Sequence, residues 1–194
     1  QNIKVIKNTN SITFIGKIKP DDFHIQGNIS SQFISGLLFA LPLLDGDSTI
    51  NIIGKLESKA YIDLTLDILK LFNIQILNNN YKSFVIKGSQ KYLAHDYTIE
   101  GDYSQAAFFL VMGALGNDVS LRCMNLNSLQ GDRKIIQDIR DLNGQITYEN
   151  GLLKATGCSL KGSVIDFAQS PDLGPVLSVL ASVTEGDTKF INAQ

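Results

Sequence analysis

The chain has 194 residues, 44% of them hydrophobic and 19% charged, with a formal net charge of -2. That length suits one ordinary domain or two small ones, and apolar residues spread along all of it exclude an intrinsically disordered chain. The near-neutral charge offers no basic field to nucleic acid or an anionic membrane, and the longest apolar stretch, Phe33–Leu44, is far shorter than the ~20 residues a bilayer span needs.

Lys4 to Ile18 reads as a hairpin, and Phe23 to Gln26 alternates as a half-buried strand should. Gly27-Asn-Ile-Ser turns into a helix from Ser31 to Leu44 with Ser30 as its N-cap, and Asp45-Gly46 stops it. Ser48 to Ile53 reads as a strand. Lys59 to Phe72 carries a wide apolar helical face, and Ile74–Leu77 with Ser83–Ile86 flank the turn Asn78-Asn-Asn-Tyr81. The spacing then predicts a strand near Tyr97–Gly101, helices near Gln105–Leu115 and Asp132–Leu142, and a hairpin turned at Glu149-Asn-Gly151. A further strand begins at Val164 and leads into a helix and a last strand.

These elements repeat. Gly46, Gly116 and Gly186 are spaced by 70 residues, each after an apolar run and before an Asp-led strand. The same offset relates Leu56-x-Ser58 to Leu126-x-Ser128 and Phe72-Asn-Ile-Gln-Ile76 to Leu142-Asn-Gly-Gln-Ile146. The unit is β-α-β-α-β-β. One full unit covers residues 21–90 and another 97–160, with the end of one at 1–20 and the start of one at 161–194. The chain opens at Gln1 and stops at Gln194 directly after a strand-like run, and so reads as a piece.

Three short polar turns lead a strand into a helix: Gly27–Gln32, Gly101–Gln105 and Asp166–Asp172. A helix start has unpaired N–H groups and a positive dipole end, which suits phosphate or carboxylate. Ser30, Ser104 and Ser170 could equally be N-caps only, but Ser30-Ser31-Gln32 is richer than a cap requires. Ser58 and Tyr61 open another helix as caps or as ligand contacts. Asp172 follows Pro171 and by spacing alone reads as a first-turn carboxylate. His24 and His95 have no partners of a catalytic pattern, and no GxGxxG, P-loop or HExxH occurs. Cys123 and Cys158, without metal-ligand spacing, read as reduced thiols of a cytoplasmic protein. Arg122, Arg133 and Arg140 are the only arginines, so a doubly anionic ligand would need most of its guanidinium partners from elsewhere.

Gly27-Asn-Ile-Ser-Ser-Gln-Phe33 followed by Leu37-Leu-Phe-Ala-Leu-Pro-Leu43 resembles the 5-enolpyruvylshikimate-3-phosphate synthases (3-phosphoshikimate 1-carboxyvinyltransferases). Glu57-Ser-Lys-Ala-Tyr-Ile-Asp63, Gly101-Asp-Tyr-Ser-Gln-Ala-Ala-Phe-Phe109, Ser128-Leu-Gln-Gly-Asp132 and Pro171-Asp172 carry the same resemblance, in order, from about Lys17 to Gln194. It implies an enolpyruvyl transferase-like fold of class α/β (α+β): two lobes, each an inside-out α/β barrel of three βαβαββ units. On that reading residues 1–96 end one lobe and 97–194 begin the other.

The resemblance also implies a reaction. The enolpyruvyl group of phosphoenolpyruvate passes to the 5-hydroxyl of shikimate 3-phosphate with release of phosphate, in a cytoplasmic monomer using no metal or organic cofactor, on the route to chorismate and aromatic amino acids. Ser30, Ser31, Gln32, Ser58, Tyr61 and Asp172 correspond to contacts of shikimate 3-phosphate. Gln32 also corresponds to a phosphoenolpyruvate contact, and Asp172 to the base that takes the 5-hydroxyl proton. Ala60 stands where the family usually has Pro. The family's cationic Lys-Ser-x-x-x-Arg segment would precede Gln1, and its Lys-Glu-x-Asp-Arg segment with the catalytic Glu would follow Gln194. The chain alone is therefore expected to be inactive, with weak affinity for shikimate 3-phosphate. The alternatives are the sibling transferase acting on UDP-N-acetylglucosamine, which shares the fold, and a scaffold domain repeated for packing alone.

Overall fold

Residues 3–157 and 159–193 are described by a computed structural model. Cys158 lies outside them; Cys123 is free and exposed. The chain divides into two compact units. Gln1–Leu56 with Thr65–His95 form the first, and Glu57–Leu64 with Asp96–Gln194 form the second.

The first unit opens with the antiparallel hairpin β1 (Lys4–Asn8) and β2 (Ser11–Ile15). β3 (Asp22–Gln26) pairs in parallel with β4 (Ser48–Ile53), and β6 (Ser83–Ile86) and β5 (Ile76–Asn79) complete a sheet of order β3-β4-β6-β5. A parallel pair needs a crossover, supplied here by α1 (Ser31–Ala40). α1 is shorter than the expected Ser31–Leu44. Pro42 lacks an N–H, and the apolar run tightens into a 3₁₀ turn over Leu41–Leu43. α2 (Lys59–Leu71) follows β4 in the chain. Ile34, Leu38, Ile50, Leu69, Phe84 and Ile86 are buried.

The second unit repeats this plan with departures. α3 (Tyr103–Ala114), β7 (Ser120–Leu121), α4 (Ile135–Asp141) and the hairpin β8 (Gln145–Glu149) and β9 (Leu152–Thr156) follow in order. Residues 97–101, expected to open the repeat as a strand, form none. The physical reason lies in β7: it spans two residues, and Cys123 takes a left-handed φ of 61° that turns the chain away. A single bond, Gly101 N–H to Cys123 C=O at 2.7 Å, is left where β3 and β4 pair along five residues. The expected Asp132–Leu142 helix likewise divides into a 3₁₀ turn over Gly131–Lys134 and α4. β10 (Val164–Asp166) and β11 (Lys189–Ile191) then pair in parallel on either side of α5 (Gly174–Ala181). α3, α4 and α5 bury Leu110, Ile135, Ile139, Leu177 and Leu180 in one apolar core with Leu153 of β9.

The repeat reaches the backbone torsions. Asn73 and Asn143 end α2 and α4 with φ of 65° and 64°, and Asn80 and Asn150 turn the two hairpins at 51° and 52°. Asparagine tolerates this region better than most residues, and each pair is 70 positions apart. Gly27 serves a different need: a Cβ there would sit 2.7 Å from the Lys55 carbonyl oxygen, so only glycine lets β3 run past β4 into α1.

In place of the missing strand, Glu100 secures the entry to α3. Its carboxylate accepts from Ser128 Oγ (2.5 Å), Gln130 Nε2 (2.9 Å) and Asn125 Nδ2 (2.7 Å), while Gln130 Oε1 accepts the Tyr103 N–H. Burial pushes the Glu100 carboxyl up, but the three donors outweigh it and hold it below the ordinary range. A lowered folded pKa contributes stability above the unfolded value and loses it as pH falls through the folded one. Glu100→Gln should therefore cost about 1–2 kcal/mol at pH 7, and the gap to the parent should close below about pH 4. Thermal melts of both chains across pH check this, and a gap of equal size at pH 3 would contradict it.

Candidate functional site

Ser30 caps α1 from extended backbone, its Oγ accepting the Gln32 N–H at 3.2 Å. Ser30 and Ser31 are partly exposed and Gln32 is exposed, all at the open start of the helix in the first unit. One serine satisfies the cap, as expected, and Ser31 and Gln32 stand beside it. The other two turns behave differently. Asp102, not Ser104, caps α3 by accepting the Ser104 N–H at 2.8 Å. Ser170 stands before the 3₁₀ turn Pro171–Leu173 without capping it, and its buried Oγ has no partner among the described residues.

Ser58, Tyr61 and Asp172 fall in the second unit. Ser58 adopts a left-handed φ of 52°, strained for a residue with a Cβ, and its carbonyl accepts the Tyr61 N–H at 3.2 Å. The segments bearing Tyr61, Asp132 and Asp172 converge. A Cβ at Gly131 would lie 2.8 Å from the Gln169 carbonyl oxygen and 3.5 Å from Ala60 Cβ, so Gly131 packs close to the Gln169 backbone with the Ala60 methyl nearby. Ala60, in the place of the family's usual Pro, thus forms part of this junction.

The Tyr61 hydroxyl donates to Asp132 Oδ2 at 3.2 Å, and Ser104 Oγ donates to the same oxygen at 2.5 Å. Asp132 is 1% exposed. Burial, with the negative charges of Asp172 and Asp102, raises its carboxyl above the ordinary range, while the bonds from Ser104 and Tyr61 pull it down. Burial and the charges of Asp132 and Asp172 push the Tyr61 phenol up to about 12. The phenol is therefore a neutral hydrogen-bonding group near pH 7. Asp172 is exposed, and its charge acts on both Tyr61 and Asp132.

Asp132 and Ser104 are the residues that sequence reasoning left out of the site. Both stand in the quoted motifs, yet a Gly-Asp at a helix start reads as a capping carboxylate, and nothing in the spacing reveals a shared partner. Of the other groups, Arg133 is occupied by the Leu126 carbonyl at 2.7 Å, and His95 packs edge-on against Phe72 with ring centroids 6.0 Å apart. Among the described residues no group of three or more His, Cys, Asp or Glu converges as a metal site, and no helix is long and apolar enough to cross a membrane.

Residues 1–194 match the family described as EPSP synthase (3-phosphoshikimate 1-carboxyvinyltransferase). The chain belongs to the EPSP synthase family. Over 195 residues it is 50% identical to the 3-phosphoshikimate 1-carboxyvinyltransferase of Clostridioides difficile (strain 630), covering 100% of this chain and 45% of that protein. The enzyme of the same name from Clostridium novyi (strain NT) is 47% identical, covering 98% and 44%. The chain thus spans less than half the length of these EPSP synthase relatives. Solved structures agree on the fold. An EPSP synthase from Acinetobacter baumannii aligns with a TM-score of 0.71 at 20% identity, over 97% of this chain and 45% of that one. The enolpyruvyl transferase NikO from Streptomyces tendae aligns at 0.66 and 14%, over 97% and 48%. The fold is the α/β enolpyruvyl transferase fold that the resemblance implies.

A serine held in the left-handed region costs about 1 kcal/mol or more relative to glycine. Ser58→Gly should therefore raise the thermal midpoint of the chain; an unchanged or lower midpoint would show that Ser58 is not strained in solution.

Proposed function

We propose that this chain supplies acceptor-binding elements of a carboxyvinyltransferase that joins phosphoenolpyruvate to the 5-hydroxyl of shikimate 3-phosphate. The observation that carries the reading is the family match over the whole chain, with relatives about half identical that bear that enzyme's name. In this reading Ser30, Ser31, Gln32, Ser58, Tyr61 and Asp172 contact shikimate 3-phosphate, and Gln32 also touches phosphoenolpyruvate. The open start of α1, with hydroxyls and an amide at a positive dipole end, supports an anionic ligand there. The left-handed Ser58 supports a functional role as well, since strain of this kind gathers at binding sites. Residues 1–96 end one lobe and 97–194 begin the next, a reading that the change of compact unit between His95 and Asp96 supports and the grouping of Glu57–Leu64 with the second unit does not. The protein works as a cytoplasmic monomer.

The chemistry follows from the two substrates. A proton adds to the methylene carbon of phosphoenolpyruvate while the 5-hydroxyl oxygen bonds to its C2, giving a tetrahedral ketal. Asp172 takes the hydroxyl proton in that step; it is exposed and free to meet a ligand. The ketal then loses a methyl proton and phosphate, which restores the enol double bond and balances the reaction. Tyr61, neutral beside two carboxylates, orients the acceptor by hydrogen bonding rather than by proton transfer.

Phosphate release by the natural gene product with both substrates tests this. Asp172→Asn should lower kcat about a hundredfold or more, with the affinity for shikimate 3-phosphate largely kept. Release without dependence on shikimate 3-phosphate, or full activity in Asp172→Asn, would overturn it.

A further inference from the structure

Most of the second unit's charged groups lie at the surface. Asp132 does not: it is 1% exposed, its Oδ2 holds both the Tyr61 phenol and the Ser104 hydroxyl, and its Oδ1 has no partner among the described residues. A buried carboxylate that spends one oxygen on two hydroxyls and leaves the other unfilled is a costly choice for a packing role alone. An amide or an apolar residue would fill the same volume more cheaply. What the carboxylate achieves is directional. Tyr61 and Ser104 each carry a single hydroxyl proton, and both donate to the same oxygen.

We propose that Asp132 is a positioning residue for acceptor binding, which fixes the Tyr61 phenol in one rotamer and turns its lone pairs toward the bound molecule. The proposal rests on the reading of Tyr61 as a contact of shikimate 3-phosphate and adds how that contact is set. With its proton held by Asp132, the phenol accepts a hydrogen bond from a ligand hydroxyl and does not donate to a phosphate. The segments support this placement: Gly131, directly before Asp132, lies near the methyl of Ala60, directly before Tyr61. Asp172, whose charge acts on both groups, places the pair beside the base of the proposed reaction.

Steady-state kinetics of the natural gene product, with Tyr61→Phe, Asp132→Asn and the double variant, test the inference alongside thermal melts. Asp132→Asn should raise KM for shikimate 3-phosphate about tenfold, with a smaller change in kcat and in KM for phosphoenolpyruvate. In the Tyr61→Phe background the same substitution should add less than about twofold, because the group it positions is already gone. Should the amide variant not fold, Asp132→Glu, which keeps the charge and displaces it by one methylene, should show the same rise in KM. If Tyr61→Phe raises KM while the Asp132 variants leave it unchanged, or add their full effect in the Tyr61→Phe background, the positioning role is wrong and the Tyr61 contact stands. If Tyr61→Phe itself leaves KM unchanged, both fail.

Discussion

One oxygen atom, Asp132 Oδ2, receives hydrogen bonds from side chains at the starts of two helices and itself sits at the start of a third segment. Tyr61 comes from the first turn of α2, Ser104 from the first turn of α3, and Asp132 from the 3₁₀ turn before α4. Burial disfavours a carboxylate there, and the two hydroxyl donors offset part of that cost. Burial raises its pKa, and the hydroxyl donors lower it. The candidate groups of the second unit depend on this arrangement. Ser58 precedes Tyr61 by three residues, and Asp172 lies close enough to act on both members of the pair.

The repeat explains how such an arrangement arises from an ordinary sequence. Each unit delivers a chain into a helix through a short polar turn, and the same turn is put to different uses. Ser30 caps α1 and leaves Ser31 and Gln32 at an open helix start. In the second unit Asp102 takes over the cap, which frees the Ser104 hydroxyl for Asp132. In the third, Ser170 makes no cap bond and Pro171 begins the turn that carries Asp172. The repeat diverges at these positions while Asn73 and Asn143, and Asn80 and Asn150, keep matching left-handed conformations.

Much of this was legible in the sequence. The offset of 70 gave the order of elements, and β4 and β6 match their expected bounds because alternating apolar residues mark a strand that is buried on one face. The strand expected at 97–101 was not legible as absent. Its sequence resembles that of β3, but strand formation depends on a partner, and the partner ends early where Cys123 turns left-handed. Local pattern also missed the break at Pro42 and the 3₁₀ turn before α4, where hydrogen-bond geometry rather than hydrophobic period decides. The site divided in the same way. Ser30, Ser31, Gln32, Ser58, Tyr61 and Asp172 stand in recognisable motifs, whereas the bond between Tyr61 and Asp132 joins residues 71 apart, a contact that no spacing rule reaches.

Binding of shikimate 3-phosphate is the step of the proposed function on which the others turn. Calorimetric titration of the natural gene product with shikimate 3-phosphate and, separately, with UDP-N-acetylglucosamine tests it most directly. Saturable heat is expected with shikimate 3-phosphate, lost in the Ser31→Ala, Gln32→Ala double variant while the thermal midpoint is kept. Preferential binding of the nucleotide sugar, or unchanged binding of shikimate 3-phosphate in the double variant, would contradict it.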